Sequence, residues 1–129
     1  MAKTAAEMVS EAKQRVENLS PDQVAAELQR GVLLIDVREQ SERDEHGTIA
    51  GAVHAPRGML EFFADSSGPY HRPEFDPNRR VILHCASGGR SALSADLLQT
   101  MGYGSVAHLD GGFAAWKAAG QPVEGEAQA

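Results

Sequence analysis

Two short apolar runs constrain this chain more than anything else in it: Val32-Leu33-Leu34-Ile35-Asp36-Val37 and Arg80-Val81-Ile82-Leu83-His84. Both are continuous rather than alternating, and both are too short to be buried helices. They read as strands covered on two faces, the pattern of a central parallel sheet. Parallel neighbours need crossover connections, and helix-forming segments stand where crossovers are required. Further strands are expected within Ile49 to Ala55, centred on Val53, and at Val106 to Leu109. The expected fold class is therefore α/β, a mostly parallel central sheet with helices on both faces.

In residues 4–17, Ala5, Met8, Val9, Ala12 and Val16 recur at helical spacing among charges, which predicts a short amphipathic helix packed on the domain. Ser20-Pro21-Asp22-Gln23 is a capping box with proline at the first helical position. It opens a helix through Val24, Ala25 and Leu28 that stops near Gly31. The charged stretch 39–46 predicts one or two exposed helical turns, and Gly58 to Ala64 a small helix presenting Met59, Leu60, Phe62 and Phe63. Ser91 to Met101 predicts a helix with Leu93, Leu97, Leu98 and Met101 on one face, closed by Gly102. Gly111-Gly112 breaks the chain before a last helix that offers Phe113 and Trp116 to the core. Residues 65–79, with Gly68, Pro69, Pro73 and Pro77, predict a long loop, and residues 125–129 a frayed tail.

A length of 129 residues suits one compact domain. The net charge of -6 weighs against a nucleic-acid or anionic-membrane partner. A single cysteine excludes an intrachain disulfide and a CxxC metal site, and it suits a reducing compartment. Met1 to Ser20 has no continuous apolar stretch, so neither a signal peptide nor a membrane span is expected. The expectation is a cytoplasmic protein without metal or cofactor.

The chemistry is expected at His84-Cys85-Ala86-Ser87-Gly88-Gly89-Arg90-Ser91, where a strand hands over to a helix. Ligands of open α/β sheets bind outside the carboxyl ends of the strands. Small residues and two glycines let the backbone curl so that N–H groups converge on one centre, and such a nest at a helix start holds an anion. Arg90 adds a fixed positive charge. Together these favour the thiolate of Cys85, the nucleophilic form. A lone cysteine after a buried strand is by itself more often inert core; the glycines and Arg90 argue for a reactive one.

Cys85 to Ser91 resembles the CxxGxRS active-site loop of the rhodanese family. Leu34-Ile35-Asp36-Val37-Arg38-Glu39 is similar to that family's D-x-R strand, and Gly47-Thr48-Ile49-Ala50-Gly51-Ala52 to its GHIPGA segment. Gly111-Gly112-Phe113-Ala114-Ala115-Trp116 is similar to its closing GGxxxW, and Ala119 to Val123 to its usual end. The resemblance implies a rhodanese-like domain over 19–124, with residues 1–18 as an N-terminal helical extension. It implies a double displacement in which Cys85 accepts sulfane sulfur from thiosulfate or another small anionic donor. The persulfide then passes that sulfur to a thiol or cyanide, or to a sulfur-relay protein. Cys85 and Arg90 would carry catalysis, and Ala86, Ser87, Gly88, Gly89 and Ser91 would bind substrate. Asp36, Arg38 and Glu42 would support the loop, and Asp36 or Glu42 is expected to contact Arg90. Thr48 and Ala50 depart from the family's His and Pro, Arg43 stands in place of an aromatic, and Glu42 to Gly47 is one residue longer than usual.

Two other readings compete. His84-Cys85 invites comparison with the HCx5R phosphatases and with arsenate reductases, but only four residues separate Cys85 from Arg90, a ring better sized for sulfur than for phosphate. A redox-sensing or sulfur-relay module with little turnover is the other. Arg57, Tyr70, His71 and Arg72 read as ordinary loop residues rather than a pocket rim, and His54 and His108 as structural histidines. The donor, the acceptor and the oligomeric state stay open at this level.

Overall fold

A computed structural model describes residues 2–125. Five parallel strands form one sheet, in the order β1 (Glu17–Leu19), β5 (Val106–Leu109), β4 (Val81–His84), β2 (Leu33–Asp36) and β3 (Val53–His54). The two apolar runs become its centre: β2 (Leu33–Asp36) pairs with β4 (Val81–His84), and every residue of both is buried. On either side lie β3 (Val53–His54) and β5 (Val106–Leu109). Because side chains alternate across a strand, odd-numbered Leu33, Ile35, Leu83 and Cys85 point to one face, and even-numbered Leu34 and Ile82 to the other.

The first face is covered by α4 (Leu60–Ala64) and α5 (Gly89–Thr100), with α1 (Ala5–Arg15) packed on α5. The second is covered by α2 (Pro21–Leu28) and α6 (Gly112–Ala118), through Val24, Phe113 and Trp116. The capping box at Ser20 is present as expected, with the Ser20 hydroxyl accepting from the Gln23 amide. α3 (Gln40–His46) buries nothing, as its charge pattern implies. No helix among the described residues is long and apolar enough to cross a membrane.

Several elements differ from the sequence reading. The first helix ends at Arg15 rather than 17, with Val16 extended, and Glu17–Leu19 forms β1, a fifth strand parallel to β5. Asn18 makes the break: its amide nitrogen donates to the carbonyls of Lys13 and Val16, satisfying a helix-end acceptor from outside the helix. A three-residue strand with two exposed positions leaves no periodic trace in sequence. β2 is shorter than the Val32 to Val37 run, and α5 starts at Gly89, two residues before Ser91. The helix expected at Gly58 to Ala64 is a 3-10 turn, Arg57–Met59, followed by α4. Residues 65–79 form a loop without helix or strand, anchored by buried Phe75. Of the expected tail, residues 126–129 lie outside the described residues.

Candidate active site

Cys85 follows the last residue of β4 at the carboxyl edge of the sheet. Its sulfur accepts the backbone N–H of Gly88 at 3.1 Å and that of Ser91 at 3.3 Å, and lies 3.5 Å from the Ser91 hydroxyl. Gly88 turns the chain with φ of 106°, a conformation open to glycine and strained for other residues. The loop is held from behind by the start of α6. The Phe113 and Ala114 amides, orphan donors of that helix, donate to the carbonyls of Cys85 and Ala86 at 2.8 and 3.0 Å. With those carbonyls turned toward α6, the amides further along the loop are free to face the sulfur. Gly112 makes this contact feasible, since a Cβ there would stand 2.6 Å from the carbonyl carbon and oxygen of Ala86.

The ring is narrower than the sequence suggests. Two amides reach the sulfur, those of Gly88 and Ser91, and Ser87 is exposed at the loop's tip. Gly89 is the first residue of α5 and lies near Val9 of α1. Cys85 itself is 1% exposed. Arg90 does not aim its fork at the sulfur: Nη1 and Nη2 donate to the two carboxylate oxygens of Glu42 at 2.7 and 2.8 Å. The Arg90 hydrogen bonds pull the Glu42 carboxyl down to about 2, against a smaller opposing effect of burial. Glu42 also accepts the Glu39 amide, so one carboxylate starts α3 and ties it to α5.

The contact expected from Asp36 or Glu42 to Arg90 is made by Glu42, and Asp36 pairs with Arg38 instead. It lies on the second face of the sheet, fully buried, and its carboxylate holds the Arg38 backbone amide and guanidinium at 2.9 to 3.3 Å. Arg38, also buried, donates to the Gly47 carbonyl and lies 4.3 Å over the Phe113 ring. Arg38, held by Asp36, thus packs on the residue whose amide donates to the Cys85 carbonyl. Burial pushes the Asp36 carboxyl up, but the Arg38 hydrogen bonds and the nearby cationic groups outweigh it and leave it below the usual range. His84 stacks on Phe113, and burial drives it down to about 4 against the pull of Asp36. Arg43 Nη1 and His84 Nε2 each lie 3.7 Å from Asp36 Oδ2 and have no hydrogen-bond partner among the described residues.

On the cysteine's own face, His108 of β5 is fully buried. Its Nδ1 is 2.9 Å from the Ser91 hydroxyl and its Nε2 is 2.7 Å from Asn18 Oδ1. A pocket of about 240 Å³ opens beside the loop, lined by Arg38, Glu42, His46, Ala86, Phe113 and Lys117 among others. An apolar pocket of similar size between α2 and α6 shares no residue with the loop.

Residues 20–119 match the model of the rhodanese-like domain. The chain belongs to that family. A sulfurtransferase of Allochromatium vinosum is 34% identical over 92 residues, covering 71% of this chain and 78% of that protein. The thiosulfate sulfurtransferase GlpE of Actinobacillus succinogenes is 33% identical over 92 residues, covering 71% and 75%. Among solved structures, RPA3614 of Rhodopseudomonas palustris, described as of unknown function and a possible tyrosine phosphatase, superposes with a TM-score of 0.91 at 38% identity over 96% of both chains.

As a rhodanese-like domain, the chain carries its only cysteine in the family's loop between β4 and α5. The residues brought to that loop are Gly88, Ser91, Arg90 and, through Arg90, Glu42. Arg57, Tyr70, His71 and Arg72 lie elsewhere: Arg57 pairs with Glu61, Tyr70 packs on Phe62, His71 meets the Phe75 carbonyl, and Arg72 donates to the His54 carbonyl. His54 in turn bonds the Arg38 carbonyl, a structural histidine as expected. Sequence reasoning missed Arg43 and His84 as neighbours of Asp36, and Asn18 as the partner of His108. Strand parity was the available signal, since it puts Asp36 and His84 on one face and Cys85 and His108 on the other.

Proposed function

We propose that this rhodanese-like domain transfers sulfane sulfur from thiosulfate, or another small anionic persulfide donor, to a thiol or cyanide. Cys85 attacks the terminal sulfur of the donor, sulfite (from thiosulfate) or a thiolate (from a persulfide) leaves with the electron pair of the broken bond, and the Cys85 persulfide passes its outer sulfur to the acceptor. The observation that carries this is the pair of amides, Gly88 and Ser91, donating to a sulfur at the end of a strand. Fixed donors stabilise an anionic sulfur without reorganising during the reaction. Ala86, Ser87 and Gly89 shape the turn. Arg90, tied to Glu42, adds positive potential beside the loop and fixes it to α3 rather than binding the donor as a fork. The curated sulfurtransferase relatives support this substrate class, and a free cysteine suits the reducing cytoplasm.

A phosphatase reading fits less well. A tetrahedral phosphate needs several donors around it, yet Cys85 is 1% exposed and both terminal nitrogens of Arg90 are taken. A terminal sulfur atom is the smaller guest. Intact mass after incubation with thiosulfate tests the proposal: the wild type gains one sulfur, Cys85→Ser gains none, and added cyanide removes the sulfur as thiocyanate. No gain with thiosulfate or with a low-molecular-weight persulfide would overturn it.

A further inference from the structure

The hydrogen bonds on the Cys85 side of the sheet have directions that can be read without ambiguity. The Asn18 amide nitrogen donates to two carbonyls, of Lys13 at 2.9 Å and Val16 at 3.1 Å, and carbonyls only accept. Its oxygen is therefore the atom facing His108 Nε2 at 2.7 Å, and that ring nitrogen must carry hydrogen. In the neutral ring Nδ1 is then a lone pair, and it faces the Ser91 hydroxyl at 2.9 Å. The Ser91 hydrogen goes to Nδ1, because the alternative acceptor, the Gly88 carbonyl, is 3.4 Å away. The serine's own lone pairs then face the Cys85 thiol at 3.5 Å. The chain of donation runs one way, from Cys85 through Ser91 and His108 to Asn18.

That line, unlike the Gly88 and Ser91 amides, suits a thiol and opposes an anion, since a thiolate or persulfide would meet the lone pairs of Ser91 Oγ. It becomes favourable again when one proton moves along the line. We propose that His108 is the proton store of Cys85, reached through Ser91. As the cysteine sulfur forms its bond to the donor's sulfane sulfur, the Cys85 S–H bond breaks and its proton passes to Ser91 Oγ. The Ser91 hydroxyl proton passes to His108 Nδ1. With thiosulfate, sulfite departs with the electrons of the S–S bond it loses, and the products are a persulfide anion and an imidazolium. The two hydrogen bonds between Cys85 and His108 are then reversed, with His108 donating to Ser91 and Ser91 donating to sulfur, while Nε2 goes on donating to Asn18. When an acceptor thiolate removes the outer sulfur, Cys85 recovers its proton by the same path, so the cycle exchanges no proton with water. His108 acts through Ser91 without touching the sulfur, and is a positioning residue rather than a catalytic one.

The surroundings of His108 fit this use. Ser91 of α5 and Asn18 of β1 face it, and the charged groups near it are Lys13 of α1 and Asp110 beyond β5, themselves 3.4 Å apart. Burial, with a smaller push from Lys13, lowers its ordinary value to about 4 against the opposing pull of Asp110. At neutral pH it therefore starts each cycle as an acceptor, and gains its proton only when an anionic sulfur appears beside it.

The inference rests on the persulfide chemistry above, and two measurements separate its failure from a failure of that chemistry. The first is nitrogen-15 NMR of the histidine rings in the wild-type protein before and after one equivalent of thiosulfate, with the persulfide confirmed by mass. The expected result is His108 protonated on Nε2 alone before loading and on both nitrogens after it. A persulfide that forms while Nδ1 stays unprotonated overturns the proposal. The second is alkylation of Cys85 by iodoacetamide, which reports the thiol and not sulfur transfer. His108→Asn keeps an acceptor near Ser91 but takes no proton, so alkylation is expected to slow about tenfold near pH 6 and to match the wild type near pH 9.5, where hydroxide can take the proton instead. Equal slowing at both pH values marks a purely structural histidine and overturns the proposal. If the variant does not fold, the wild-type NMR result decides alone.

Discussion

Glu42 takes both terminal nitrogens of Arg90, at 2.7 and 2.8 Å, and so closes a bridge between α3 and the start of α5 across the mouth of the cysteine loop. Glu42→Gln removes the charge and half of the fork. The pair is partly solvated, with Arg90 38% exposed, so the cost in stability is about 1 kcal/mol or less, read from urea unfolding. Sulfur transfer falls by more than that small loss implies, several-fold at saturating thiosulfate, because the loop loses its outer support. Unchanged turnover would show that the bridge has no part in the reaction.

Asp36 and Arg38 are a buried pair at 0% and 1% exposure. Asp36→Ala leaves a guanidinium in the core with the Gly47 carbonyl, the face of Phe113 and the more distant charge of Glu42 as what holds it. Stranding a buried charge in this way costs about 3–5 kcal/mol. Urea midpoints measure it, and Asp36→Asn, which keeps an oxygen but loses the charge, is expected to fall between alanine and wild type.

Gly112 and Gly51 both have positive φ, at 64° and 82°, but differ in what surrounds them. An alanine at Gly51 meets nothing within 4 Å and pays only the left-handed backbone strain, about 1 kcal/mol. An alanine at Gly112 drives its methyl into the Ala86 backbone at 2.6 Å. Gly112→Ala is expected to destabilise by well over ~2 kcal/mol and to disturb Cys85 alkylation, which Gly51→Ala leaves intact. Equal effects in urea unfolding would contradict this.

Acid weakens the fold in a defined window. His84 and His108 each sit at about 4 in the folded chain, burial being the main cause, against an ordinary 6.5. Between those values the unfolded chain binds more protons, so the stability they contribute is complete above the unfolded value and declines as pH falls toward the folded one. The loss reaches on the order of 3 kcal/mol per histidine near pH 4. Glu42, held down to about 2 chiefly by Arg90, contributes its loss lower still. Urea midpoints that do not move between neutral pH and pH 4.5 would contradict the assignment.

Much of this was legible in the residues because it depends on local pattern. The runs around Ile35 and Ile82 had to be covered strands, the glycines after Cys85 had to make a tight turn, and Ser20 with Gln23 had to start a helix. What escaped was set by pairing across distance. β1 exists because β5 offers an edge, and nothing in Glu17-Asn18-Leu19 announces it. The contact of Arg90 with Glu42, 48 residues earlier, was legible only as one of two candidates, and Asp36, the other, turned to Arg38 on the opposite face. The loop's sequence suggested a full ring of donors. The geometry brings two to the sulfur because α6 holds the Cys85 and Ala86 carbonyls and leaves Ser87 at the rim.

The edge strand gives the N-terminal segment a meaning that the family match, which begins at residue 20, leaves out. Asn18 stands just upstream of that boundary, and its carbonyl oxygen dictates which nitrogen of His108 bears hydrogen. A protein pruned to the matched span would keep the nucleophile and every glycine around it, yet its imidazole would be at liberty to tautomerise, and the one-way wiring behind the sulfur would be lost.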